Sequence, residues 1–266
     1  MDRLEAQIEA LDRIPKRLRR VEARLDGIDT QSAKRLSRLE AQIADLLEAL
    51  RRPRRGEPTD KQFLEAASLV LAQGRTKLRQ DRLWIIWQAA RNTAHLGHAA
   101  AEVGTYRGGS AYFIALAYQM LLGREIPLDA IDTFEGHPRD KLSSHDPPSH
   151  KGLGAFARTS YEEVVGYLRQ FEQTVVHKGE LTAIANDLPD RTYQLVHLDV
   201  DLYESTKDCL EYFTGRLALG GVIVLDDYDA PNCPGVRLAA EEFLSGDDRW
   251  QSWQPHTEQL LLIRMG

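Results

Sequence analysis

The chain has 266 residues, 42% of them hydrophobic and 28% charged, and a net charge of −6. That length suits one full α/β domain plus an extension, and the negative balance argues against general nucleic-acid binding. No run of about 18 apolar residues is present to span a bilayer, and the two cysteines, Cys209 and Cys233, offer neither a disulfide framework nor a zinc-ligand spacing.

The charge is unevenly spread, net +3 over residues 1–58 and −9 over the rest, which argues for two structural units. In the first unit apolar residues recur at Leu4, Ile8, Leu11, Ile14, Leu18, Val21, Leu25 and Ile28. They recur again at Leu36, Leu39, Ile43, Leu46 and Leu50. Spacings of three and four make this the seam of a heptad repeat, so residues 1–52 are expected to form an α-helical coiled coil. A stripe this narrow needs a partner, and the expected partner is a second copy, giving a homo-oligomer. Pro15 and the weak stretch from Gly27 to Ser32 leave either one interrupted coil or a helical hairpin. Packing on the chain's own globular part is the plain alternative. A membrane-surface helix, favoured by Arg51, Arg52, Arg54 and Arg55, is opposed by the many carboxylates of the polar face. Residues 53–59, with Pro53 and Pro58, read as a linker. The charged opening Met-Asp-Arg-Leu-Glu is unlike a secretory leader, and the expected location is cytoplasmic.

From residue 60 to 266 the pattern alternates. Two helices are expected first, around Phe63–Leu71 and Leu83–Ala94. A short apolar run then leads into Glu102-Val-Gly-Thr-Tyr-Arg-Gly-Gly-Ser110, followed by an apolar helix. Strand, glycine turn and helix in that order bring backbone close to a ligand, because glycine lacks Cβ and the helix N-terminus faces the turn. The spacing is not the Gly-x-Gly-x-x-Gly fingerprint and has no P-loop lysine. A second strand over Pro127–Phe134 ends near Asp132, which reads either as an ordinary turn aspartate or as a carboxylate accepting ribose hydroxyls.

The polar stretch from His137 to Gly154, holding His137, His145 and His150, reads as a lid or binding loop. Ser160 opens a helix through Phe171, and Thr174–His177 is a short strand before Lys178-Gly179-Glu180. A strand over Tyr193–Asp199 precedes a helix to about Arg216. Gly220-Gly221 then turns into a strand, Val222–Leu225, ending in Asp226-Asp227. A helix over Pro234–Leu244 and two paired strands, Trp250–Trp253 and Leu260–Ile263, close the chain. The fold expected is α/β, a doubly wound sheet with its site along one edge. If the strands ending at Asp199 and Asp226 are neighbours, three carboxylates converge there. A divalent cation with oxygen ligands, Mg²⁺ above all, relieves their repulsion; separate capping and turn roles are the alternative.

Four ordered segments carry a resemblance: Glu102–Ser110, Asp132-Thr-Phe-Glu-Gly136, Asp199-Val-Asp-Leu-Tyr-Glu-Ser-Thr206 and Asp226-Asp-Tyr228. Over about 102–240 the chain resembles class I S-adenosylmethionine-dependent O-methyltransferases, specifically the macrocin O-methyltransferase family of sugar methyltransferases. The resemblance implies a Rossmann-like seven-stranded sheet over residues 60–266. It implies cofactor binding by Glu102, Gly104, Thr105, Tyr106, Gly108, Ser110, Asp132, Thr133, Phe134, Lys178 and Gly179. Mg²⁺ would be held by Asp199, Asp226 and Asp227, with Asp199 also the general base. The acceptor implied is a glycosyl hydroxyl of a natural product or surface glycan. Related catechol-type enzymes carry a lysine three residues after the first metal aspartate, where this chain has Leu202. Two other readings stand beside this one: a related enzyme of the cephalosporin-hydroxylase-like group, and a coiled-coil scaffold with a degenerate methyltransferase domain.

Overall fold

The computed structural model describes residues 58–151 and 156–266. The expected coiled coil over 1–52 and most of the linker lie outside the described residues.

Among the described residues two helices, α1 (Lys61–Ala72) and α2 (Gln80–Thr93), lie before the first strand, β1 (Ala99–Val103). After β1 come α3 (Gly109–Leu122), β2 (Leu128–Asp132), α4 (Tyr161–Leu168), β3 (Thr174–Lys178) and a one-turn α5 (Leu181–Ile184). The chain continues through β4 (Tyr193–Leu198), α6 (Tyr203–Thr214), β5 (Leu217–Leu225), α7 (Pro234–Ser245), β6 (Trp250–Trp253) and β7 (Leu260–Arg264). Among the described residues seven strands form one sheet in the order β3-β2-β1-β4-β5-β7-β6. The first five run parallel, and β7 is antiparallel to both β5 and β6. This is the doubly wound, Rossmann-like arrangement expected. The chain winds outward from β1 to β3, then returns to lay β4 on the other side of β1. That reversal opens a crevice beyond the C-terminal ends of β1 and β4.

Strand alternation splits the core into two layers. Ala100, Val222 and Val224 face one layer with α1, α2 and α3, while Ala101, Val103, Ile223 and Leu225 face the other with α6 and α7. The three alanines of β1 let α2 and α3 approach closely. α3 is apolar nearly all round, and most of its residues are buried, as befits a helix sandwiched between sheet and α2. Phe63, Trp84, Trp87 and Phe113 lock the outer helices together; the Phe63 ring lies 4.8 Å from Trp84 and 6.0 Å from Trp87, both edge-on.

The structure corrects the sequence reading in two places. Gly220-Gly221 does not precede β5 but lies inside it, where the pairing jumps from Tyr193↔Leu217 to Leu195↔Val222. The extra residues bulge, and Gly220 supplies the φ of +77°. The helix from Ser160 ends at Leu168, short of Phe171, although its cap forms as expected, with Ser160 Oγ accepting from the Glu163 amide. The Lys178-Gly179-Glu180 turn leads directly into α5, which Glu180 caps.

Replacing Trp87, wholly buried in the aromatic cluster, with alanine is expected to cost ~3–5 kcal/mol. Urea unfolding of full-length protein checks this, and a loss below ~1 kcal/mol would mean that the cluster does not hold the outer helices.

Candidate active site

The crevice between β1 and β4 opens into a cavity of about 460 Å³. Its floor is the turn after β1. Gly104 has φ of +94°, and a Cβ there would lie 1.9 Å from the Asp199 carbonyl oxygen. The β1 turn therefore rests directly on the backbone at the end of β4, a contact only glycine permits. The Gly104 amide donates to the Ile131 carbonyl at 2.9 Å, and the Asp199 amide to the Val103 carbonyl at 2.9 Å, so β-type bonding continues past the strand ends. Gly108, φ +84°, precedes α3, and no side chain caps that helix. Its first N–H groups are left to the turn and its contents. At Gly109 a Cβ would meet the Thr76 amide at 2.5 Å, so the segment before α2 packs over the helix start.

Asp132, at the end of β2, accepts from the Tyr106 amide and from the Phe134 amide, both at 2.6 Å. It lines the cavity and at the same time fastens two turns that both contain a residue at positive φ, Tyr106 and Phe134. Burial raises its pKa. Gly179 closes this side: its amide bonds the Asp132 carbonyl at 2.9 Å, and a Cβ would strike Ile184 at 2.3 Å.

Opposite lies the acidic cluster. β4 and β5 are hydrogen-bonded neighbours, so Asp199 and the pair Asp226-Asp227 leave the sheet side by side, with one carboxylate oxygen of each within 4.8 Å of the others. Burial and the charges of Asp226 and Asp227 push Asp199 well above the usual carboxylate range. Burial and Asp226 likewise push Asp227 up to about 7. Three groups compensate this charge. Arg82, in the first turn of α2, pairs with Asp226, with Asp227 at 2.9 Å and with Glu258. Gln259 donates to Asp226 Oδ1 at 2.8 Å. Behind them His197, fully buried, bonds Glu102 at 2.9 Å and lies 3.9 Å from Asp226. Burial alone would lower its pKa, but Asp226 and Glu102 outweigh that and raise it to about 10.

A second triple, Asp201, Asp227 and Cys233, is also close enough to hold an ion. Its chemistry differs. Burial pushes the Cys233 thiol up, and its sulfur donates to Asp201 at 3.3 Å; a protonated thiol is a poor ligand. Asp201 is instead paired with His137 at 3.0 Å, which fixes the start of the lid. Asp146 anchors the middle of the lid by accepting from the Tyr203 amide at 2.9 Å and from Ser143. Of the three lid histidines, His137 lines the cavity, His150 is buried 5.1 Å from the His137 ring, and His145 packs on Tyr203 outside it.

The structure brings together Gly104, Thr105, Tyr106, Ser110, Asp132, Thr133, Gly179, Asp199, Asp226 and Asp227 around one cavity. Four of the expected cofactor residues stand elsewhere. Glu102 is buried behind the wall as the His197 partner. Gly108 packs against Val164 and Tyr167. Phe134 is in the helical core beside Tyr161, and Lys178 is half-exposed on Glu135. Glu102 and Lys178 lie within β1 and β3, where side chains alternate between faces; Gly108 and Phe134 lie in turns, where the local backbone conformation aims each residue, so a contiguous motif does not present every member to the same space. Arg82, His197, Glu258 and Gln259 went unread in the sequence. Only Arg82 left a trace there, as a cation in a helix's first turn, where the dipole disfavours it.

The family model for Macrocin-O-methyltransferase (TylF) matches residues 59–248. The chain belongs to that family. It is 29% identical over 140 residues to the 8-demethyl-8-(2,3-dimethoxy-alpha-L-rhamnosyl)-tetracenomycin-C 4'-O-methyltransferase of Streptomyces olivaceus, covering 50% of this chain and 53% of that one. It is 26% identical over 149 residues to the demethyldecarbamoylnovobiocin O-methyltransferase of Streptomyces niveus, covering 53% and 56%. The match thus spans about half the length of these curated relatives. Among solved structures, the O-methyltransferase NovP superposes with a TM-score of 0.64 at 24% identity, over 72% of this chain and 83% of that one. The calicheamicin methyltransferase CalS11 superposes with a TM-score of 0.59 at 19% identity, over 80% and 99%. These two likenesses establish the fold.

Two predictions follow from the geometry. Gly104→Ala forces a Cβ into backbone and is expected to cost roughly 2–3 kcal/mol. Gly123→Ala, at φ +67° with nothing within 4 Å, costs only about 1 kcal/mol; equal losses in denaturant unfolding would contradict the close approach. The second concerns pH in chelator-treated protein. Asp227 holds its proton more tightly folded than unfolded, so its contribution is complete below 3.8 and is lost as pH rises through about 7. His197 acts in the same direction, its contribution complete below 6.5 and lost through about 10. The melting temperature is therefore expected to fall from pH 6 to pH 9, and to fall less in Asp227→Asn. A flat or rising profile refutes the charge crowding.

Proposed function

We propose that this chain is an S-adenosylmethionine-dependent O-methyltransferase that methylates a hydroxyl of a glycosyl group on a natural product or surface glycan, with Mg²⁺ held by Asp199, Asp226 and Asp227. One observation carries the reading: a glycine turn under an uncapped helix N-terminus and a three-carboxylate nest share a single cavity, joined by the Gly104–Asp199 contact. Family membership supports methyl transfer. The acceptor class follows the relatives, whose names specify a rhamnosyl-bearing tetracenomycin and a novobiocin precursor.

The residues fit both groups. The all-oxygen donor set and the raised Asp199 and Asp227 mark negative charge that the chain's own cations leave incompletely compensated, which suits a hard divalent ion. Gly104, Asp132 and Gly179 line the same side of the cavity, a carboxylate flanked by two residues without side chains, which suits a nucleoside carrying a ribose. When bound, the cofactor supplies a methyl group on a sulfonium, and the metal supplies Lewis acidity that lowers the acceptor hydroxyl's pKa.

The chain's own side chains do the rest. Asp199 takes the acceptor hydroxyl proton. Leu202, in place of the catechol-type lysine, is wholly buried and takes no part in proton transfer. Asp132 holds the turn and offers its remaining lone pairs to ribose hydroxyls. The lid, tied down through His137 and Asp146, keeps water from the transfer. Residues 60–266 are the methyltransferase domain in this reading, and 1–52, joined by the 53–59 linker, is the segment through which copies associate in the cytoplasm.

The test incubates full-length protein with S-adenosylmethionine, Mg²⁺ and a panel of glycosides, read by mass spectrometry for a single added methyl. Asp199→Asn is expected to lower turnover by about 10²–10⁴-fold while calorimetric S-adenosylmethionine binding stays within a few-fold. Full turnover in excess EDTA sinks the metal's role, and absence of cofactor binding sinks methyl transfer altogether.

A further inference from the structure

Arg82 is the cation that the carboxylate nest already owns. It comes from α2, and its partners come from segments 144, 145 and 176 residues further along the chain. Its side chain is 13% exposed, against 1% for Asp226 and 14% for Asp227. A single nitrogen, Nη1, bonds both Asp226 Oδ2 and Asp227 Oδ1, so it fills the cleft between the two aspartates. The other oxygen of Asp226 is taken by Gln259, and the charge of Asp199 also bears on the guanidinium. A helix's first turn is an unfavourable place for a buried cation, and the site tolerates it because of these carboxylates. The second nitrogen, Nη2, is bound differently. It goes to Glu258, whose side chain is 39% exposed at the cavity's edge.

We propose that Arg82 is a displaceable internal counter-ion: it and a divalent cation are alternative occupants of the cleft between Asp226 and Asp227, and metal entry moves Nη1 out while Glu258 keeps hold of Nη2. This rests on the reading of Asp199, Asp226 and Asp227 as a metal site. The physical basis is exclusion. An ion bonded to the same two oxygens needs the space Nη1 fills, and two cations at that separation repel. The metal-free enzyme is thereby spared bare carboxylates facing one another, and metal affinity is set lower than the three aspartates alone would give. Arg82 has the geometry for this and a lysine does not, because only the fork of a guanidinium spans the aspartate pair and Glu258 together.

The experiment measures binding of Mn²⁺ alone to full-length protein, by electron paramagnetic resonance of the free ion, for wild type, Arg82→Gln and Arg82→Lys. Circular dichroism and melting curves report folding of each. Arg82→Gln is expected to bind Mn²⁺ about tenfold more tightly or better, with Arg82→Lys between the two. Should the glutamine variant not fold, the lysine variant carries the comparison, supported by a wild-type measurement. In wild type, arginine-selective nitrogen NMR with diamagnetic Mg²⁺ is expected to show the Arg82 guanidinium losing its slow hydrogen exchange on metal addition. Equal or weaker binding by the variants, or an Arg82 signal unmoved by metal, overturns the proposal and leaves the metal site standing. No binding to any of the three at millimolar Mn²⁺ overturns both.

Discussion

Four carboxylates, Asp199, Asp226, Asp227 and Glu258, face a shared space at the ends of β4 and β5, and the mutual repulsion of that charge is the constraint the site is built around. Parallel pairing of β4 with β5 makes the convergence unavoidable, since both strands end in aspartate at the same level. Burial limits how far water screens the three aspartates, and the raised pKa values of Asp199 and Asp227 express the repulsion. The surrounding polar residues answer it from three sides. Arg82 reaches in from α2, Gln259 donates from the start of β7, and His197 holds positive charge from beneath. Each of these would be an anomaly if read alone: a cation at the wrong end of a helix, a fully buried amide side chain, a fully buried imidazolium. Together they are one electrostatic arrangement.

The same arrangement binds the two halves of the cavity. His197 touches Glu102 in β1 as well as nearing Asp226 after β5, and Gly104 rests on the backbone of Asp199. Asp132 extends the connection to β2 by bonding the amides of Tyr106 and Phe134, and Asp201 extends it to the lid through His137. Polar contacts thus link the turn and the nest to His137 at the start of the lid, and a transfer reaction needs donor and acceptor held in line.

Much of this was legible in the residues. Local patterns marked the strands, because a parallel strand buried on both faces reads as an apolar run, as in Val222–Leu225, and its end reads as an abrupt carboxylate or glycine. The β1 turn and the aspartates after β4 and β5 were visible for that reason. Where local pattern misled, a longer-range contact was responsible. Gly220-Gly221 looks like a turn, yet pairing with β4 on both sides of the bulge draws it into the strand. Phe134, in the turn after β2, and Lys178, at the end of β3, point away from the site, since motif spacing carries no record of which way a side chain leaves the backbone.

Sequence alone determined the α/β class, the order of the elements, the ligand turn after β1 and the placing of aspartates at two strand ends, because each depends on residues near in the chain and on periodicity. Only the tertiary structure decided that β4 and β5 are neighbours, that Asp132 is a fastening as well as a lining residue, and that Arg82, Glu258, Gln259 and His197 belong to the acidic cluster. Those residues are brought in from up to 176 positions away. Their chemistry arises from burial and from opposing charge at a few ångströms, and neither exists until the sheet has formed.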